Sequence, residues 1–112
     1  MQDIQRYSRA IGTMILEGKS YYAIAGRLPE ITAEREQAYA FLDAMEKWYR
    51  DLLFSTIGIS SEWTDPHMQK LSRLLLKEKA YEAVVLIEEA RRDLNRHINT
   101  NYTIKTMVLK LI

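Results

Sequence analysis

The chain has 112 residues, 47% hydrophobic and 28% charged, a net charge of +1 and no cysteine. That is one domain of ordinary globular composition. It excludes a disulfide framework and a thiolate metal site, and it lacks the strong basic balance of a dedicated nucleic-acid binder. No apolar run approaches ~18 residues, so no membrane span is expected, and the absence of cysteine and of a signal peptide fits a cytoplasmic location.

Apolar periodicity predicts six helices and no strands, an all-α bundle. The first runs from about Asp3 to Glu17, with Ile4, Tyr7, Ile11, Met14 and Ile15 on one stripe and Gly18 as its stop. The second is short, about Ser20 to Arg27, with Ser20 as its N-cap, Gly26 weakening it and Pro29 closing it. The third and longest spans about Thr32 to Thr56, with Thr32 as the N-cap. Its apolar face is Ala38, Phe41, Leu42, Met45, Trp48, Tyr49, Leu52 and Leu53. Glu46 and Arg50 are expected on the opposite side as an i,i+4 ion pair.

Gly58 to Asp65 reads as the one substantial loop, and Asp65-Pro66 as an N-cap followed by proline at the first helical position. The fourth helix then runs to about Lys77 and carries Met68, Leu71, Leu74 and Leu75. The fifth spans about Lys79 to Ile98, its inner face being Ala83, Leu86, Ile87, Ala90, Leu94 and Ile98. The sixth starts near Asn101 or Tyr102 and ends the chain, with Ile104, Met107, Val108 and Leu111 on one face. Short helices are marginal alone in water, so packing of these faces must supply the stability.

Little in the sequence points to catalysis. His67 and His97 show no metal-ligand spacing. Asp93 and His97, four apart, are within hydrogen-bonding reach, and the simpler reading of His97 is an exposed side chain near a helix C-terminus. Glu88 and Glu89 point about 100° apart on a helix and make no carboxylate pair. Gly12, Gly18, Gly26 and Gly58 are isolated, so no phosphate loop exists. The expectation is a non-catalytic domain without metal, cofactor or small-molecule substrate. Arg91, Arg92, Arg96 and His97 form the one basic cluster. It reads as a salt-bridged, solvated face, with Glu88 four residues before Arg92, or alternatively as a set of phosphate contacts in a helical DNA-binding module.

Several apolar residues fall off the main stripes. Tyr81 and Val85 share the outer side of the fifth helix, Phe54 lies off the face of the third, and Tyr102 and Leu109 lie off that of the sixth. If they join into a patch, that patch marks a partner surface. Trp63, in the loop, is either a plug over the core or a partner anchor.

Two segments resemble one family. Trp48-Tyr49-Arg50-Asp51-Leu52-Leu53, late in a long helix, resembles the Trp-x-Arg-Asp-Leu-Leu signature in the C-terminal domain of the delta-prime subunit of bacterial DNA polymerase III. Glu89-Ala90-Arg91-Arg92-Asp93-Leu94, then Asn99-Thr100-Asn101 and the apolar helix to Leu111, resembles that domain's final segment. The signature positions carried over are Trp48, Arg50, Asp51, Arg91 and Asn99. The related gamma/tau subunit has a similar domain. The resemblance implies a helical collar, residues 1–112, of a clamp-loader subunit whose AAA+ region is not in this chain. Its partners would be the gamma/tau and delta subunits, with DNA met indirectly through the assembly and no membrane contact. The nucleotidyltransferase activity of that family's holoenzyme is not expected of this domain. Phe54, Tyr81, Val85, Tyr102 and Leu109 are the interface candidates.

Overall fold

A computed structural model describes residues 2–56 and 77–112, with side chains at 4–54 and 78–112. The helices there are α1 (Gln2–Leu16), α2 (Tyr21–Ala25), α3 (Pro29–Thr32), α4 (Arg35–Thr56), α5 (Lys77–Asn95) and α6 (Thr100–Leu111). No strand occurs among the described residues, and the helices form the all-α bundle that the periodicity predicts. The expected helix beginning near Asp65, the loop before it with Trp63, and His67 lie outside the described residues.

α4 is the axis of the bundle. At 22 residues it is about 33 Å long at 1.5 Å per residue. It packs against α1, α3, α5 and α6, while α6 also covers α2, α3 and α5. Its predicted stripe is the core: Ala38, Phe41, Leu42, Met45, Trp48, Tyr49 and Leu52 are all buried, and Leu53 is partly so. Ile11 and Ile15 of α1, Ile24 of α2, Leu28 and Ile31 around α3, Ala80, Ala83, Ile87, Ala90 and Leu94 of α5, and Ile104, Met107 and Val108 of α6 complete it. Each large aliphatic side chain removed from water contributes roughly 1.5–3 kcal/mol.

Local chemistry sets the boundaries. α1 and α5 end in the same backbone motif. In α1, Gly18 takes φ +77°, the Gly18 N–H donates to the Ile15 carbonyl (3.2 Å) and the Lys19 N–H to the Met14 carbonyl (3.0 Å). In α5, His97 takes φ +61°, with His97 N–H to Leu94 carbonyl (3.0 Å) and Ile98 N–H to Asp93 carbonyl (3.1 Å). This pairing satisfies helix-end carbonyls through one left-handed residue, usually glycine; a histidine there sits at a steric cost. It ends α5 three residues before the expected Ile98 and leaves Ile98 outside the helix, partly exposed. The side chains of Asp93 and His97, expected within reach of each other, make no hydrogen bond among the described residues.

Ser20 caps α2 as expected, its hydroxyl accepting from Ala23 N–H at 3.2 Å. Two other boundary expectations are corrected. Pro29 does not close the second helix: Gly26 is its C-cap, and Pro29 opens a further single turn, α3. Proline suits a first helical turn because its missing N–H has no partner there anyway. Thr32 is therefore the last residue of α3 rather than the N-cap of the long helix, which starts at Arg35. The extra turn buries Leu28 and Ile31 against the core. The last helix begins at Thr100, with the Asn99 side chain accepting from Tyr102 N–H at 2.9 Å.

The contact of α1 with α4 depends on Gly12. A Cβ built on Gly12 would lie 2.4 Å from Cζ3 of Trp48 and 2.6 Å from Cε3. The indole thus occupies the space that any side chain at residue 12 would need. Its other neighbours include the Tyr49 ring, edge-on at 5.1 Å between centroids.

Trp48→Ala is expected to destabilise the domain by about 3–5 kcal/mol, read by denaturant unfolding. Gly12→Ala, which in an exposed helix would stabilise by ~1 kcal/mol, is expected here to destabilise by about 1–3 kcal/mol through overpacking against the indole. A stabilised Gly12→Ala variant would refute the close approach.

Candidate partner interface

The interface candidates divide between three helices. On α5, Tyr81 and Val85 are one turn apart and point away from the buried line Ala80, Ala83, Ile87, Ala90 and Leu94; Tyr81 is 67% exposed and Val85 40%. On α6, Tyr102 and Leu109 are seven residues apart, hence on one side, opposite buried Ile104, Met107 and Val108; they are 64% and 58% exposed. Phe54, near the end of α4, is 37% exposed. Its neighbour Leu53 lines a shallow hollow together with Tyr81, Glu78 and Glu82, so the α4 end and the start of α5 share one surface region. Tyr102 and Leu109 form a second outward face on α6.

The five signature residues do different work from these. Trp48 is in the core, and Asp51 is buried beside it on the same helix. Arg50 is exposed and its Nη2 donates to Glu46 Oε1 at 3.1 Å, the expected i,i+4 pair. Asn99 caps α6. Arg91 joins α5 to α4: its Nη2 donates to Asp43 Oδ1 (2.6 Å) and to Glu46 Oε2 (3.0 Å), and its Nη1 to Glu88 Oε1 (2.7 Å). Tyr39 adds a second tie, its hydroxyl donating to Asn95 Oδ1.

This cluster corrects two expectations about charge. Glu46 was expected on a solvated side, yet it is 8% exposed. Two guanidiniums make its burial tolerable, since a buried carboxylate needs partners. The basic cluster of Arg91, Arg92, Arg96 and His97 is not one surface: Arg91 turns inward to α4 and is engaged by three carboxylates. Glu88, expected to serve Arg92, is bonded to Arg91 instead.

The carboxylates titrate against one another. For Glu46, burial pushes the pKa up, but the hydrogen bonds from Glu88 and Arg91 and the charges of Arg91 and Arg50 outweigh burial, so it lies below the usual value. Glu88 is raised, first by its hydrogen bond with Glu46 and then by burial, with Arg91 working against both. Of the two, Glu46 is therefore the one that holds its charge further into the acid range. Arg91 itself is held more firmly protonated: burial lowers its pKa, and Glu46, Glu88 and Asp43 more than reverse that. Elsewhere, burial raises the Tyr49 phenol, and burial with nearby Glu30 raises Tyr7 against the opposing charge of Arg27.

Gly12 and the Glu46–Arg91 contact are structural features that sequence reasoning missed. A glycine inside an otherwise regular helical stripe was the available signal for the first. For the second there was none, because the partners are 45 residues apart. Among the described residues no group of three His, Asp or Glu side chains is placed to hold a metal ion, and no helix is long and apolar enough to cross a membrane.

Glu46→Gln tests the cluster. Because the pKa of Glu46 is lowered on folding, its contribution is complete above its ordinary value of 4.5 and is lost as pH falls through the lower, folded value. Glu88, raised on folding, has the opposite sign and offsets part of this. We expect Glu46→Gln to cost about 1–3 kcal/mol at neutral pH, the gap to wild type closing below pH 4.5, and Glu88→Gln to cost less. Urea unfolding across the acid range measures both; a pH-independent cost for Glu46→Gln would contradict an ionised Glu46.

No protein-family model, curated protein or solved structure matches the chain.

Proposed function

We propose that this chain is a non-catalytic oligomerisation domain: the collar of a clamp-loader subunit of the delta-prime type, holding that subunit in the hetero-pentamer that loads the sliding clamp in DNA replication. The observation that carries the reading is the division of labour among its apolar residues. A continuous core is built around α4, yet Tyr81, Val85, Tyr102 and Leu109 stand outward on two helix faces at 40–67% exposure. Apolar side chains aligned on one outward helix face, as Tyr81 with Val85 and Tyr102 with Leu109, offer area for a partner to cover. The resemblance of Trp48–Leu53 and Glu89–Leu111 to the family supplies the identity of the partners.

The mechanism under this reading is geometric. The Trp48–Gly12 contact, the Arg91 cluster and the Tyr39–Asn95 bond hold α1, α4 and α5 in fixed relation. A body of that kind sets the position of its neighbours while ATP-driven motion occurs in modules outside this chain. A stable collar contact would bury on the order of 1,200–2,000 Å². A DNA-binding module is the weaker reading because Arg91, one of its three arginines, is committed to carboxylates. The collar of the related gamma/tau subunit is the alternative within the same reading, and the choice of partner separates the two.

Light scattering on a sizing column, with the domain alone and mixed with the gamma/tau and delta subunits, tests the proposal. A stoichiometric complex is expected, and charging Tyr81 and Val85 together (Tyr81→Lys with Val85→Lys) is expected to weaken it without unfolding the domain. A folded monomer that ignores both subunits would overturn the reading.

A further inference from the structure

The outward side of α5 carries more than its two apolar residues. At 100° per residue, Tyr81, Val85, Arg92 and Arg96 fall within an arc of about 60°. Arg96 keeps the helical register, its N–H bonded to the Arg92 carbonyl at 3.1 Å. All four side chains are exposed. They make a single line about 22 Å long, an apolar pair with exposed Glu78 in the same arc toward the N-terminal end and a pair of guanidiniums toward the C-terminal end.

The two arginines have no carboxylate partner among the described residues, although acids lie within helical reach. Glu88 stands four residues before Arg92, the favourable spacing, but its carboxylate is bonded to Arg91 at 2.7 Å. Glu89 and Asp93, each three residues before an arginine, form no ion pair with Arg92 or Arg96. The inward turn of Arg91 therefore has a consequence at the surface: it withdraws the best local counter-ion and leaves two positive charges one turn apart, in line with exposed Tyr81 and Val85.

We infer that this face of α5 docks a helix of a neighbouring subunit that presents two carboxylates one turn apart and, on the same side about seven residues away, two apolar side chains one turn apart. The argument is charge complementarity combined with spacing. The apolar pair supplies buried area, and the unpaired arginines select an acidic partner and fix its direction along α5, since a reversed helix would set acids against Tyr81 and Val85. The inference rests on the oligomerisation reading for who the neighbour is, and adds which face it meets and with what chemistry.

The test measures complex formation with the gamma/tau and delta subunits for the wild-type domain, for Arg92→Glu with Arg96→Glu, and for Arg6→Glu as an exposed arginine on another helix, α1. Circular dichroism melts establish that each variant is folded. The expected result is binding by the wild type that weakens with salt, loss of about tenfold or more in the double reversal, and little change in Arg6→Glu. Wild-type binding that survives the double reversal overturns this inference while leaving the proposed function standing. No binding by the wild type overturns both. A fourth outcome, duplex DNA bound by the wild type and lost in the double reversal while subunit binding is unchanged, assigns the arginines to phosphate and overturns the inference.

Discussion

The indole of Trp48 packs so closely on α1 that a single methyl group at residue 12 would collide with it. Much of the rest follows from that contact. It brings the α1 backbone down onto α4, which lets Ile11 and Ile15 reach the core beside Met45, Tyr49 and Leu52. The contact also makes an unpromising residue necessary. Glycine weakens a helix through the backbone entropy it must surrender, so its presence inside α1 is explained by space rather than by propensity. A ring and a missing side chain on two helices 36 residues apart in sequence form one fitted unit.

Where α1 meets α4 through shape, α5 meets it through charge. Arg91 crosses to Asp43 and Glu46, and Arg50 closes on Glu46 from the other side. Partly buried ion pairs add little net stability over apolar packing, but they penalise misplacement, because a shift of α5 by one turn would take Arg91 from buried Glu46 and leave it Arg50 alone. The cluster therefore specifies the register of α5 on α4 more than it strengthens the bundle. Register matters to any function carried by α5, since it decides which residues of that helix face outward. The same cluster links interior to surface: binding Glu88 to Arg91 is what leaves Arg92 without its natural partner.

The family resemblance rests largely on residues that serve the fold. Trp48 fills the α1–α4 contact, Arg91 sets register and Asn99 caps the last helix. Positions of that kind identify a scaffold, and the outward residues Tyr81, Val85, Tyr102 and Leu109 are where a scaffold meets its neighbours. A clamp-loader collar, as proposed, would need both properties together: rigid relations between helices and apolar faces turned away from the core.

What the amino-acid sequence alone determined was set by near neighbours. The 3.6-residue period of apolar residues identified the core face of α4 and of α6 almost residue for residue, Ser20 was legible as a cap, Gly18 as a stop, and Phe54, Tyr81, Val85, Tyr102 and Leu109 as off-stripe. Periodicity succeeds there because a helix face is a local property. The tertiary structure decided what depends on distant partners. Pro29 opens a turn because Leu28 and Ile31 find a core to enter, and His97 holds a left-handed conformation that its own steric preference opposes. The fate of charge was the least legible. Glu46 looked solvated, and three neighbouring arginine and histidine side chains looked like one patch with Arg91, until α5 lay against α4 and divided them. A charged side chain's role is set by the dielectric around it and by the counter-ions that other helices bring, and no window along the sequence contains either.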